Sequence, residues 1–210
     1  TETYDGSSWT TSSATLGTAR AELGRAGTTS AAFAFGGFIA PGITSNSEEY
    51  NVSTSTVTAG AWASGGNLNT GGRSGAAGSG IQTASIIAGG GLGTVLNNSE
   101  SYNGSSWTNL PTLGTARGYM AGATNAPYTA TVVFGGATGP GGPYVANSEE
   151  YSGSSWAEGN DLNTGRGYLA GFGTQTAGAA AGGTTPGPRA AEVEEYNGTS
   201  WSEVNNMPTG

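Results

Sequence analysis

Residues 102–107 read Tyr-Asn-Gly-Ser-Ser-Trp, and this hexapeptide returns along the chain with little change. The other copies are Tyr4-DGSS-Trp9, Tyr151-SGSS-Trp156 and Tyr196-NGTS-Trp201, while Tyr50 and Trp62 are the same two ends with seven further residues between them. Successive tyrosines are 46, 52, 49 and 45 residues apart. Asn-Gly and Asp-Gly suit the positive φ angles of tight hairpin turns. Each copy therefore reads as the end of one strand, a turn, and the start of the next.

Other residues keep the same period. A Gly pair closes an apolar run ahead of the last four tyrosines: Gly36-Gly37, Gly89-Gly90, Gly135-Gly136 and Gly182-Gly183. Glu stands two residues before every Tyr of the series, at Glu2, Glu48, Glu100, Glu149 and Glu194. Arg opens a small-residue segment after each of the first four Trp, at Arg20, Arg73, Arg117 and Arg166.

One period thus reads as four short strands, a to d, separated by Gly, Asn, Ser or Pro. Strand a begins at Arg, b ends in Gly-Gly, c carries Glu-x-Tyr and d carries Trp. Four antiparallel strands in a repeat of nearly 50 residues predict an all-β propeller. The blades fall at approximately 17–66, 67–113, 114–162 and 163–210, after a half blade at 1–16. That makes eighteen strands, whereas a ring of five blades takes twenty. The expectation is five blades with the N-terminal one incomplete, its two missing strands supplied by continuing chain or by a neighbour.

Arg at the head of the first strand, Gly-Gly ending the second, Glu-x-Tyr in the third and Trp in the fourth resemble the kelch motif. The wording Ser-Glu-Glu-Tyr, Asn-Gly-Ser-Ser-Trp and Leu-Asn-Thr-Gly-Arg also resembles kelch-like repeats in structural proteins of tailed, often marine, phages. That likeness implies a virion or fibre setting. Kelch propellers also include oxidases of the galactose oxidase kind, whose chemistry needs His and a modified Cys. This chain has neither residue.

Composition narrows the chemistry further. Of 210 residues 40 are Gly, yet five Trp and nine Tyr recur at set places, which separates the chain from aromatic-poor disordered sequences. Six Arg, no Lys and fourteen carboxylates give a net charge of −8, which repels phosphate backbones. Nucleic acid is therefore not expected as a partner. No apolar run approaches the ~20 residues of a membrane span, so membrane insertion is not expected either. Without Cys or His, thiolate and imidazole catalysis and the usual zinc ligands are absent. No cofactor, metal site or catalytic residue is expected.

Packing accounts for the repeated columns. Tyr4, Tyr50, Tyr102, Tyr151 and Tyr196, with Trp9, Trp62, Trp107, Trp156 and Trp201, are expected between blades. Because strands alternate in direction, each Arg meets the Gly pair and the Glu of its own blade at one rim, which predicts shielded ion pairs. The same alternation brings the b–c loops to one face, where they form the least repetitive segments: 38–46, 91–98, 137–147 and 184–191. A repeated scaffold with variable loops on one face is a usual mount for a binding site. Phe38, Ile43, Tyr144 and Arg189 are the candidate contacts there. The insertion at 52–61 falls on the opposite face, where it could meet a neighbouring subunit.

The expectation is a non-catalytic binding or structural module, extracellular or on a virion surface, that meets glycan or the protein subunits of a larger assembly. A carboxylate-only glycan-acting enzyme is the alternative, but Asp5, Asp161, Glu22, Glu158 and Glu203 show no pairing in the sequence. An intracellular kelch adaptor is a second alternative, with no partner domain to support it.

Overall fold

The computed structural model describes residues 1–4, 7–12, 14–28, 31–51, 61–187 and 189–208. Within them the chain is a β-propeller of four antiparallel four-stranded blades and contains no helix. Asp5 and positions 52–60 of the insertion lie outside the described residues.

A two-stranded hairpin comes first, β1 (Glu2–Tyr4) and β2 (Trp9–Thr11). Blade I follows with β3 (Gly24–Gly27) and β4 (Ala31–Phe35), then a short ribbon of β5 (Phe38–Ile39) and β6 (Gly42–Ile43), then β7 (Ser47–Asn51) and β8 (Ala61–Ser64). Blade II repeats the plan with β9 (Ala77–Ile81), β10 (Ala84–Ala88), the ribbon β11 (Gly91–Leu92) and β12 (Thr94–Val95), β13 (Ser99–Tyr102) and β14 (Trp107–Leu110). Blade III is β15 (Ala121–Gly122), β16 (Thr131–Phe134), β17 (Ser148–Tyr151) and β18 (Trp156–Glu158). Blade IV is β19 (Ala170–Thr174), β20 (Ala177–Ala181), β21 (Val193–Tyr196) and β22 (Trp201–Val204).

The hexapeptide folds as its residues require. Tyr102 pairs with Trp107 across β13–β14, and Gly104 takes φ 93° in the turn. The Asn103 side-chain oxygen accepts the backbone N–H groups of Ser105 and Ser106, an Asx turn. Asn197 does the same for Thr199 and Ser200.

Strand a starts later than Arg, the residue expected to open it. Each Arg precedes its strand by four residues, as Arg73 precedes Ala77 and Arg166 precedes Ala170. The reason is the backbone at the second residue after Arg, where Glu22, Gly75, Tyr119 and Tyr168 have φ of 52°, 64°, 56° and 56°. A left-handed residue breaks the extended geometry, so the chain crosses the rim before it enters the sheet.

The Arg and Glu columns meet as buried ion pairs: Arg20–Glu48, Arg73–Glu100, Arg117–Glu149 at 3.0 Å and Arg166–Glu194 at 2.9 Å. The same guanidinium groups donate to carbonyls at the b–c loop, Arg73 to Gly89 and Asn98, and Arg117 to Gly135 and Asn147. Burial lowers the pKa of Arg73 and Arg117, and Glu100 and Glu149 oppose that shift.

The core lies between blades. Phe33 and Phe35 of β4 meet Ile87, Tyr102 and Trp107 of blade II, with the Phe33 and Tyr102 rings stacked at 4.7 Å. Val132 and Phe134 of β16 meet Ala180, Tyr196 and Trp201 of blade IV. Backbone bonds join the blades too, since the N–H groups of Gly37, Gly90 and Gly136 donate to the carbonyls of Arg73, Arg117 and Arg166 in the next blade.

The second Glu of strand c adds a lock between blades, one that spacing alone does not reveal. Tyr102 donates its hydroxyl to Glu49 of blade I at 2.6 Å, and Tyr196 donates to Glu150 of blade III. Burial, then the bond to Glu49, pushes the Tyr102 pKa up to about 12, from about 10 in an unfolded chain. The folded state therefore holds this proton more tightly. The stability this contributes is complete below pH 10 and is lost as the pH rises towards 12. Urea unfolding is expected to show a lower midpoint at pH 11 than at pH 9. Tyr102→Phe should shrink that difference while costing about 1.5 kcal/mol at neutral pH.

Trp9 departs from the packing expected of its column. It is 68% exposed, whereas Trp107 and Trp201 are buried against the preceding blade. Glu2 is exposed as well. The difference follows from topology, because β1 pairs with β2 and no strands a and b of its own stand beside it among the described residues.

The tyrosine mouth, a candidate binding site

The b–c loops fold back onto the rim beside the Arg segments. Ala21 bridges Phe38, Gly118 bridges Ala137, and Gly167 bridges Thr184. Ile43 pairs with Phe38, Tyr144 with Ala137 and Arg189 with Thr184. Ile43, Tyr144 and Arg189 thus occupy one structural position in three different blades. Phe38 and Arg189 are exposed, while Ile43 and Tyr144 are half-buried. Phe38 and Ile43 stand opposite each other on the blade I ribbon, Tyr144 lies in the loop of blade III and Arg189 in that of blade IV.

Three tyrosines do converge. The rings of Tyr119 and Tyr168 stack at 4.3 Å, and Tyr144 meets Tyr168 edge-on at 6.5 Å. Consecutive blades place them there through backbone bonds, from the Tyr119 N–H to the Gly75 carbonyl at 2.6 Å and from the Tyr168 N–H to the Tyr119 carbonyl at 2.8 Å. A Cβ on Gly167 would stand 2.9 Å from the Tyr144 ring, so Gly at that position lets the b–c loop of blade III close on blade IV.

Glu22 occupies the corresponding rim position of blade I and accepts a hydrogen bond from the Ser74 hydroxyl. Burial at the cluster raises the Tyr168 pKa to about 12, helped by a hydrogen bond with Tyr119 and by the proximity of Tyr119, Tyr144 and Glu22. Tyr168 itself is 51% exposed. The arrangement is an aromatic surface edged by phenol hydroxyls and one carboxylate.

Backbone conformation singles out this rim. Left-handed φ suits Gly best, and a non-Gly residue held there costs of order 1–3 kcal/mol. Among the described non-Gly residues positive φ occurs at Glu22, Tyr119 and Tyr168, all in this one column. Blade II has the relaxed choice, Gly75. A signal was available in the sequence, since the second residue after each Arg reads Glu, Gly, Tyr, Tyr. Aromatic residues in the segment after Arg also suit an extended strand, which hides the signal.

The other carboxylates considered above have structural partners or stand apart. Asp161 accepts a bond from the Ser148 backbone N–H, and Glu158 accepts one from the Asn147 side chain. Glu203 is exposed on β22. Among the described residues no group of three or more acidic side chains is placed to hold a metal ion. Comparison with protein-family models and with curated proteins gives no match.

Proposed function

We propose that this propeller is a non-catalytic binding module that holds neutral glycan at the tyrosine mouth. The observation that carries the reading is the retention of Tyr119 and Tyr168 in left-handed backbone, where the equivalent Gly75 would relieve the strain. Tyrosine suits the task, because its ring covers the apolar face of a sugar while its hydroxyl bonds at the edge. Glu22 adds an acceptor for sugar hydroxyls, and the net charge of −8 disfavours anionic glycans. The likeness of the repeats to kelch motifs in tailed-phage structural proteins supports a place on a virion surface or fibre, with protein subunits of that assembly as neighbours.

Tyr168→Gly tests the assignment with opposite expectations for binding and stability. It removes the exposed ring and relaxes φ, so binding on an array of neutral oligosaccharides should vanish. Stability to urea should hold or rise by about 1 kcal/mol. Binding that survives this change, or an array blank for the unaltered protein, would overturn the reading.

A further inference from the structure

Glu22 brings a full negative charge to the tyrosine mouth, where an amide oxygen would serve a sugar hydroxyl. Left-handed backbone, φ 52°, holds this carboxylate, and its side chain is exposed. The Ser74 hydroxyl donates to Oε2, which orients the group and leaves Oε1 to accept from a ligand. The charge reaches the rings. Burial raises the Tyr168 pKa to about 12, and the proximity of Glu22 adds to that rise. A field that disfavours a phenolate favours a cation in the same place.

The four rim arginines do not cancel this field. Arg20, Arg73, Arg117 and Arg166 are each paired with a Glu of their own blade. Arg189, exposed in the blade IV loop, is the cation on this face that would oppose it, so an anionic probe belongs in the test. The rings add attraction of their own, because the aromatic quadrupole places negative potential over each face. Tyr119 lies at 22° and Tyr144 at 72° to Tyr168, so the cluster turns faces in more than one direction. Aromatic faces beside a carboxylate are the surroundings in which a desolvated ammonium group is held well.

We propose that the mouth prefers, among otherwise neutral glycans, those that carry a free amine, with the ammonium group on Glu22 and against the tyrosine faces. An ammonium brings a charge and three N–H donors, whereas the acetylated nitrogen is neutral and keeps a single donor. The inference rests on the mouth being a glycan site. Within that site Glu22 sets the specificity, and the rings supply the contact common to amino and acetamido sugars.

Three tetrasaccharides test it by calorimetric titration of the whole chain: the N-acetylglucosamine tetramer, the same tetramer with one residue deacetylated, and one carrying a single uronic acid instead. In mildly acidic, low-salt buffer the amine form is expected to bind about tenfold more tightly than the parent, and the acid form most weakly. Added salt should narrow the difference, since Glu22 is exposed. Glu22→Gln should reduce the preference for the amine to about twofold or less, and Glu22→Asp should recover part of it. The urea midpoint of Glu22→Gln should match that of the unaltered protein. Equal affinity for amine and parent, a preference indifferent to Glu22→Gln, or tightest binding of the acid would each overturn the proposal while glycan binding stands. No binding of any of the three would overturn both.

Discussion

Glu100→Ala is expected to destabilise the propeller by about 3–5 kcal/mol, measured as the loss of unfolding free energy in urea. The side chains of Glu100 and Arg73 are both 0% exposed, so removing the carboxylate leaves a guanidinium buried without its counter-charge. Two further donors lose their acceptor, because Glu100 also takes the backbone N–H groups of Asn69 and Thr70. Those residues belong to the segment that crosses from blade I to blade II, so the damage extends beyond one blade. For a domain whose total stability is typically 5–15 kcal/mol, such a loss is a large share.

The double variant Arg73→Met with Glu100→Leu should recover only part of this cost. An apolar pair removes the uncompensated charge, and in other proteins such a swap can be neutral. Here it would still leave the carbonyls of Gly89 and Asn98 and the amides of Asn69 and Thr70 without their partners. Glu48→Ala should cost less than Glu100→Ala, since the Glu48 side chain is 11% exposed and water can reach it. A loss below about 1 kcal/mol for Glu100→Ala would mean that the pair is solvated and does not hold the blade.

The repeat was legible because it is written in spacing. Columns of Tyr, Trp, Glu, Arg and Gly-Gly give strand order and rim without any knowledge of side-chain contacts. The all-β propeller, its four full blades and the meeting of Arg with Glu at one rim followed from strand alternation. What spacing does not carry is the sign of φ or the face on which a residue lands. Tyr119 and Tyr168 read as ordinary strand residues, because aromatic side chains also favour strands. Arg25 lies next to Gly24, and only strand pairing shows that Arg25, rather than its neighbour, stands in register with Gly78, Gly122 and Gly171. Trp9 matches its column in sequence, but burial depends on what stands beside the hairpin.

Gly135→Ala and Gly182→Ala are expected to differ by several kcal/mol although the two positions share one backbone conformation, with φ of 65° and 63°. Both variants meet the cost of a non-Gly residue in left-handed backbone, of order 1–3 kcal/mol. At Gly182 the new Cβ would lie 2.8 Å from the terminal methyl of Met207, a flexible end that can turn away, and 3.5 Å from the Ala190 carbonyl. At Gly135 it would lie 2.6 Å from the Arg166 carbonyl, which is main chain of the next blade. That carbonyl also accepts the Gly136 N–H at 2.8 Å, and the Arg166 side chain is held by Glu194. Relief of the clash therefore requires blades III and IV to separate, which opens the cluster of Phe134, Tyr196 and Trp201. Gly135→Ala should cost more than about 4 kcal/mol, the range of core disruption, while Gly182→Ala stays near the conformational cost alone. Gly89→Ala, with its Cβ 2.5 Å from the Arg117 carbonyl, should follow Gly135→Ala. Tyr168 lies two residues beyond Arg166, so Gly135→Ala should also weaken glycan binding at the mouth, whereas Gly182→Ala should spare it. Urea unfolding of the three variants decides the matter: equal costs would mean that the first glycine of the pair serves the turn alone and not the contact between blades.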